Sequence, residues 1–326
     1  MSGIIFGGTV TPSRLSPNLF KNPNFAVIQG TASGTLANSL ALPTASLGYL
    51  GETEWCIAAS GGTPAYTFNS INESVTFTGA ASTTAIYLLQ RLESRDTNRI
   101  KSKTVTFSCE ISNSLLTSVI WEVFRPTTSD DTHGTIATPT QTLIASGTFT
   151  VTSTLTRYSA TFALPDLASR GLEVRLRVGA QTSGTWVVAR PQLEEGSTAT
   201  DFNCGDYFQE LAKCQRYFET SYPDGVAIGS FNYLSGVGGI SLGVQDFYDG
   251  YSFKTFNARK FAIPVMNGYS LNGAVGVFYN FSLGINQGNI GFRFVNHGGF
   301  NIFCINNAMT LNNAFGMHFT AASHIP

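Results

Sequence analysis

In residues 104–111, Val105, Phe107, Cys109 and Ile111 alternate with Thr104, Thr106, Ser108 and Glu110. This two-residue period restricts the fold more than any other pattern in the chain. It gives an extended strand one apolar and one wet face, and it cannot be read as a helix. Residues 172–178 repeat it, with Val174, Leu176 and Val178 against Glu173, Arg175 and Arg177. One face packed and the other solvated is the mark of an antiparallel sheet. Further strands are expected at 54–58, 66–68, 74–78, 85–90, 118–124, 141–145, 147–152, 157–163 and 186–190, with turn signals between them. Many short strands spaced this way argue for a sandwich.

Residues 184–219 mark the end of that region. Thr185, Val187 and Ala189 alternate with Trp186, Val188 and Arg190 until Pro191, which has no N–H to donate and is expected to end the ladder. Glu194, Glu195, Gly196 and Ser197 read as a polar turn. Asp206 can cap a short helix whose apolar side is Tyr207, Leu211, Cys214 and Phe218. Beyond residue 221 the composition changes to Gly, Asn and Phe, with Asp224, Asp246 and Asp249 as the only acids. Strands are expected there at 225–231, 239–243, 254–265, 275–284, 290–296, 300–306 and 317–322. The phenylalanines are more than a single-chain sandwich of this size buries easily, so part of them is expected between chains. Residues 1–18 are broken by Gly7, Gly8, Pro12 and Pro17. They read either as a flexible terminus or as a segment that docks on another protein.

Composition excludes several classes. At 326 residues there is room for two or three domains. Charged residues are 12%, about half the globular norm, yet 25 Phe and 12 Tyr are too many for disorder. A net charge of −1 gives no electrostatic case for nucleic acid or an acidic membrane. No apolar run reaches the roughly 20 residues of a membrane span, so no insertion is expected. The opening MSGIIFGGTVTP lacks the basic and apolar regions of a signal peptide. The five cysteines Cys56, Cys109, Cys204, Cys214 and Cys304 match no metal spacing and read as free, buried thiols suited to a reducing compartment.

The string TWVVARPQLEEGSTATDF followed by CQRYFE resembles a junction of bacteriophage tail fibres and related virion appendages, where a sandwich strand leads through a short helix into the next domain. NLFKNPNF from Asn18 resembles the opening strand of carbohydrate-binding-module-like jelly rolls. IYLLQRLESRDTNRIKSKTVTFSCEI and RYSATFALPDL with LEVRLRVG are similar to their inner strands. RKFAIPVMN and AFGMHFTAASHIP are similar to strands of tail-fibre tip domains, although the ending runs on to HIP and lacks the usual acid. The resemblance implies an all-β chain: a docking segment at 1–18, an antiparallel jelly roll at 19–203, a linker helix at 204–220 and a small β-sandwich tip at 221–326. It implies a virion tail protein assembled in the host cytoplasm and needing no secretion signal. Baseplate or other tail proteins would meet the N-terminus, and host surface polysaccharide would be the ligand. Fibre tips of this kind are trimeric, so Leu211, Cys214 and Phe218 are expected to form a three-helix contact. The competing reading packs this short stripe on its own sandwich.

Sugar recognition places aromatic rings beside polar groups. The tip loops 245–252 and 296–301 offer Tyr248, Asp249, Tyr251, His297 and Phe300. The sandwich offers Trp55, Tyr66, Tyr87 and Trp121 as the alternative. Trp121 shares a face with Val119 and Val123, and Tyr87 lies between Ile86 and Leu88, which points to core packing for both. Many such modules hold a structural calcium, but Ala26 stands where the opening acid is usual. Asp201 alone is thin support for a hard cation, so no cofactor is expected.

Chemistry is sparse. Glu194 and Glu195 are adjacent on the expected turn, and His133, His297, His318 and His324 are far apart. A glycosidase needs two carboxyl groups at a fixed separation. No GxSxG, HExxH or phosphate-binding loop occurs. The expected function is non-catalytic attachment to a host surface. A purely structural baseplate or decoration protein is the alternative, and a glycan depolymerase is a third.

Overall fold

The computed structural model describes residues 18–37, 39–41, 43, 49, 53–233, 240–241, 253–305 and 314–326. The chain is all-β, with antiparallel pairing throughout and two short α-helices among the described residues.

Eleven strands build the first sandwich: β1 Ser33–Thr35, β2 Cys56–Ser60, β3 Ala65–Asn69, β4 Ser74–Thr78, β5 Ala85–Leu92, β6 Thr104–Asn113, β7 Ser118–Pro126, β8 Gln141–Thr150, β9 Thr156–Ala163, β10 Leu172–Val178 and β11 Thr185–Glu195. They form a six-stranded sheet in the order β1-β3-β4-β11-β6-β9 and a five-stranded sheet in the order β2-β5-β10-β7-β8. The alternating residues of β6 and β10 point inward as expected. Val105, Phe107, Cys109 and Ile111 meet Val174, Leu176 and Val178 in one core with Ile57, Phe77 and Trp186. The two strands expected at 141–145 and 147–152 are one strand with a bulge against β7 between Val123 and Phe124. Gly147 is required there. A Cβ at that position would lie 2.7 Å from the Trp121 ring, which crosses β8 at this point.

The junction differs from its expected form. Pro191 does not end β11. The strand continues to Glu195 on β6 through a bulge between Ala189 and Gln192, and the missing N–H falls inside that bulge, where no ladder bond is due. Only the pairing with β4 stops, at Ala189. Glu194 is therefore no turn residue but a fully buried one. Its carboxylate accepts hydrogen bonds from the Thr200 N–H at 2.9 Å, the Thr200 hydroxyl at 2.6 Å and Gln192 Nε2 at 2.8 Å. Asn18 closes the other side, donating to the carbonyls of Pro191 and Asn203 and accepting from Leu193 N–H. QLEEGSTATDFN is thus a hydrogen-bonded staple that ties the last strand to the first residues of the sandwich.

Helix α1 is Ser94–Thr97 and α2 is Tyr207–Gln215. Asp206 caps α2, accepting from Phe208 and Gln209 N–H. The covered side is Glu210 and Cys214, continued by Tyr217 and Phe218, because the Glu210 carboxylate accepts the Asn22 N–H at 2.8 Å. Tyr207 and Phe208 are exposed. Among the described residues no helix is long and apolar enough to cross a membrane.

The second β unit contains β12 Phe218–Thr220, β13 Ile240–Ser241, β14 Phe253–Thr255, β15 Val265–Tyr269, β16 Val277–Asn280, β17 Ile285–Arg293, β18 Gly299–Ile305, β19 Ala314–Gly316 and β20 His318–Ala322. The sheets are β12-β20-β15 and β13-β19-β16-β17-β18-β14. The single strand expected at 254–265 is two, β14 and β15. Between them Lys260 turns inward to pair with Glu219 at 2.6 Å, and Pro264 supplies no N–H. No strand forms at 225–231. Phe256, Phe278, Phe300 and Phe315 fill the core, whereas Phe231, Phe253, Phe281 and Phe294 stand exposed.

Buried polar contacts join the two units. Glu93 binds Arg216 Nη2 at 2.9 Å and the Tyr217 hydroxyl. His324 stacks on Tyr49 with centroids 4.0 Å apart.

Candidate functional site

The outer face of the five-stranded sheet carries several polar and aromatic side chains. Strand parity sends Ile86, Leu88, Val174, Leu176, Val119 and Val123 inward, so their neighbours must face out. Register then sets Tyr87 beside Arg177, and Arg177 beside Ile120. The next row is Leu89, Arg175 and Glu122, and the next is Arg91, Glu173 and Phe124. Tyr87 is half-buried, and the Arg177 side chain keeps 35% of its surface exposed. Arg177 Nε donates to Glu122 at 3.3 Å, and the Arg175 guanidinium lies 4.6 Å from the Phe124 ring centroid. The Arg177 and Arg175 guanidinium groups are held on neighbouring strands by the Glu122 and Glu173 carboxylates.

A buried charge knot holds one end of this face rigid. Glu173 is fully buried and accepts from Arg91 Nε at 2.9 Å, Gln141 Nε2 at 2.7 Å and Arg175 Nε at 3.0 Å. Burial alone would push its carboxyl up, but Arg91 and Arg175 outweigh that and hold it at about 2. His133, also buried, sits over the knot with Nδ1 3.1 Å from Gln141 Nε2. Since that amide nitrogen only donates, Nδ1 accepts and Nε2 carries the proton. Burial and the neighbouring Arg91 push the His133 pKa down to about 3. The end of the chain closes the knot. Ile325 O accepts from Arg91 Nη1 at 3.2 Å and from the Tyr49 hydroxyl at 2.9 Å, and Pro326 O accepts from His133 N–H at 2.9 Å. Beneath it, burial lifts the Cys56 thiol to about 12, which makes it an unreactive core group.

The opposite, six-stranded sheet presents a groove of about 430 Å³ lined by Glu73, Glu110, Arg157, Arg190, Thr200, Asp201 and Phe202, with Ala199 between them. The β11 bulge creates it by placing Arg190 at φ +47°, opposite Glu73 at φ +53°. Two non-glycine residues in the left-handed region cost roughly 1–3 kcal/mol each. They are offset by Arg190 N–H to Glu73 O at 3.1 Å, Arg190 Nε to Glu73 Oε2 at 2.6 Å and Arg190 Nη1 to Glu110 Oε1 at 3.1 Å. Among the described residues no group of three or more His, Cys, Asp or Glu is placed to hold a metal ion. A second open depression of about 460 Å³, between Arg125, Leu143 and Pro165 at the sandwich edge, is poorer in polar groups.

The candidates expected from sequence scatter. Trp55 is buried between Phe20 and Phe25 and donates its Nε1–H to Asn22 O at 3.0 Å. Tyr66 is buried against Phe68. Neither can stack on a ligand. Trp121 packs on Phe149 and Phe162 at the sandwich margin. Tyr87 faces out, contrary to the core packing its flanking residues suggested, because a strand sends neighbours to opposite faces. In the tip, Phe300 is fully buried among Phe256, Phe292 and Phe319, so it is a core residue and not a ligand contact. His297 is half-buried, with Nδ1 3.0 Å from the Lys260 carbonyl. Tyr248, Asp249 and Tyr251 lie outside the described residues, as do residues 1–17. Cys214 and Phe218 are covered within one chain and Leu211 is partly covered, which matches the competing reading that packs the stripe on its own sandwich. Cys56, Cys109, Cys214 and Cys304 are buried, and Cys204 is partly exposed. Arg175, Arg177 and Glu122 had a signal in the sequence, the wet half of the alternation. Arg190 and Glu73 had none, because the bulge that joins them depends on pairing between distant strands.

No protein-family model matches the chain, and no curated protein matches it. Among solved structures, a family 4 carbohydrate-binding module is similar over 52% of this chain and 99% of its own, at 15% identity and a TM-score of 0.35. A family 61 module in complex with β-1,4-galactotriose is similar over 56% of this chain and 100% of its own, at 11% identity and a TM-score of 0.32. The enzymatically active domain of bacteriophage CBA120 tailspike protein 4 is similar over 48% of this chain and 21% of its own, at 12% identity and a TM-score of 0.33.

Proposed function

We propose that this chain is an attachment protein of a tailed phage, a tail fibre or receptor-binding appendage that binds glycans of the host surface without cleaving them. The observation that carries the reading is the outer face of the five-stranded sheet, where Tyr87, Arg177 and Glu122 stand together beside the buried Glu173–Arg175 pair. An aromatic ring packs on the apolar face of a sugar, while fixed charged groups take its hydroxyls. The virion assignment rests on the junction at 184–219 and its resemblance to tail appendages. In this reading the protein is made in the host cytoplasm, meets a baseplate or tail partner through its first residues, and self-associates as a trimer through the tip. Exposed Phe231, Phe253, Phe281, Ile285 and Phe294 support that last step.

Printing the full chain against a glycan array tests the function. Selective binding with no release of reducing sugar is expected. Release of reducing sugar would favour a depolymerase, and no binding to any glycan or host cell would favour a structural baseplate or decoration protein. Replacing Tyr248 and Tyr251 by Ala should leave the array signal unchanged. Loss of signal at an unchanged melting temperature would move the contact to the tip loop.

A further inference from the structure

We propose that the outer face of the five-stranded sheet takes the free, non-reducing end of a glycan and not the interior of its chain, with the terminal sugar over Tyr87. The inference rests on the glycan-binding reading above and names the part of the glycan that is bound. It follows from where this face is closed and where it is open. Parity sends Cys56 and Ala58 of β2 outward, because Ile57 and Ala59 belong to the core, yet both are fully buried. Tyr87 pairs with Ala58, so the face is covered on the β2 side of the tyrosine. One row along the strands, outward Leu89 is fully buried with Tyr49 and Cys56, and Ile136 packs against them. Arg175 beside it is buried on Glu173. Ile325 closes the row after that, its carbonyl accepting from Arg91 and from the Tyr49 hydroxyl.

The opposite side is open. Ile120, next to Arg177, is half-buried. Thr148 and Ser146 of β8, opposite Ile120 and Glu122, are exposed. β8 is the last strand of its sheet, so the face ends there without a wall. Tyr87, Arg177, Ile120 and Thr148 make one strip across β5, β10, β7 and β8. At about 4.8 Å between strands the strip is about 14 Å long, room for roughly three pyranose units. It is blind at Tyr87 and open at Thr148. A linear chain that reaches the tyrosine across the strands meets the cover over Ala58. One that reaches it along the strands meets the cover over Leu89. Either way the sugar on Tyr87 has no room for a further unit on its far side. Surface polysaccharides are tethered through their reducing ends, which leaves the non-reducing end free to enter. There the Tyr87 ring meets the apolar side of the terminal pyranose, and Arg177 and Glu122, 3.3 Å apart, stand beside it for the hydroxyls.

The test titrates the full chain with malto-, manno- and cello-oligosaccharides of two to six units by isothermal titration calorimetry. In the series that binds, affinity is expected to rise up to about three units and to change less than about twofold from there to six. Reducing the six-unit probe to its alditol should leave its affinity unchanged. Capping the non-reducing sugar of the same probe as its 4,6-O-benzylidene acetal should weaken it about tenfold or more. Thr148→Arg, at an exposed position on the open end, should weaken the three-unit probe and spare the two-unit one at an unchanged melting temperature. Affinity that keeps rising to six units, or a capped probe that binds as well as the free one, would overturn the chain-end inference and leave the glycan-binding face standing. Loss of binding on reduction to the alditol, or a three-unit probe indifferent to Thr148→Arg, would overturn the inference in the same way. No binding of any probe would overturn it together with the reading it rests on.

Discussion

At the scale of single residues, the Arg91–Glu173–Arg175 knot with His133 above it sets the most specific expectations. His133 has a folded pKa near 3 against an ordinary 6.5, so the unfolded chain binds the extra proton between those values. Its contribution to stability is full above pH 6.5 and is lost as pH falls toward 3. Glu173, held near 2 against 4.5, acts in the same direction, with its loss setting in below pH 4.5 and running down to 2. Melting temperature should therefore fall on acidification from pH 7 to pH 4.5. His133 accounts for on the order of 3 kcal/mol of that loss, at about 1.4 kcal/mol per pKa unit. His133→Asn should flatten this part of the curve, and an unchanged slope would contradict the account. Glu173→Gln removes the charge that two buried guanidinium groups share and should cost about 3–5 kcal/mol in a chemical denaturation. The alternation in 172–178 showed that Glu173 and Arg175 belong to the face away from the core. It could not show that they are buried, because Ile325 covers Arg91 from 234 residues away.

Elements were more legible than their roles. Parity alone gave the inward faces of β6 and β10, and the Asp206 cap followed from residue type and spacing. Tyr87 is equally legible. Its apolar neighbours on the strand are evidence that it faces out, whereas Trp121, in step with Val119 and Val123, does pack inside. The junction string shows the opposite limit. Its residues carry the resemblance to tail appendages, yet nothing local marks Glu194 as buried, since its partners come through a bulge and a return of the chain. Glu194→Ala frees Thr200 and strands Gln192, and should cost about 2–3 kcal/mol. Glu195→Ala, on an exposed ion pair with Lys103, should cost under about 1 kcal/mol. Equal effects of the two variants would show that the staple is not a unit. Gly147→Val should destabilise as well, by driving the Trp121 ring off Phe149 and Phe162.

At the scale of the whole molecule, two β units share buried ties at Glu93, Tyr49 and residues 324–326, which should make them unfold together. The surplus of phenylalanine beyond residue 221 was plain in the sequence. Which of them would be exposed was not, because the tip core is chosen by strand register. Light scattering of the full chain should give a mass three times 35.0 kDa. Phe253→Ser with Phe294→Ser should reduce it to the single-chain mass, and a monomeric wild type would remove trimerisation from the account. The central claim is that the sandwich binds glycan through the outer face of its five-stranded sheet. The most direct measurement is the affinity of the full chain for its strongest array glycan, compared with that of the Tyr87→Ala, Arg177→Ala double variant at matched melting temperature. A loss of at least tenfold is expected for the double variant. An unchanged affinity would contradict it.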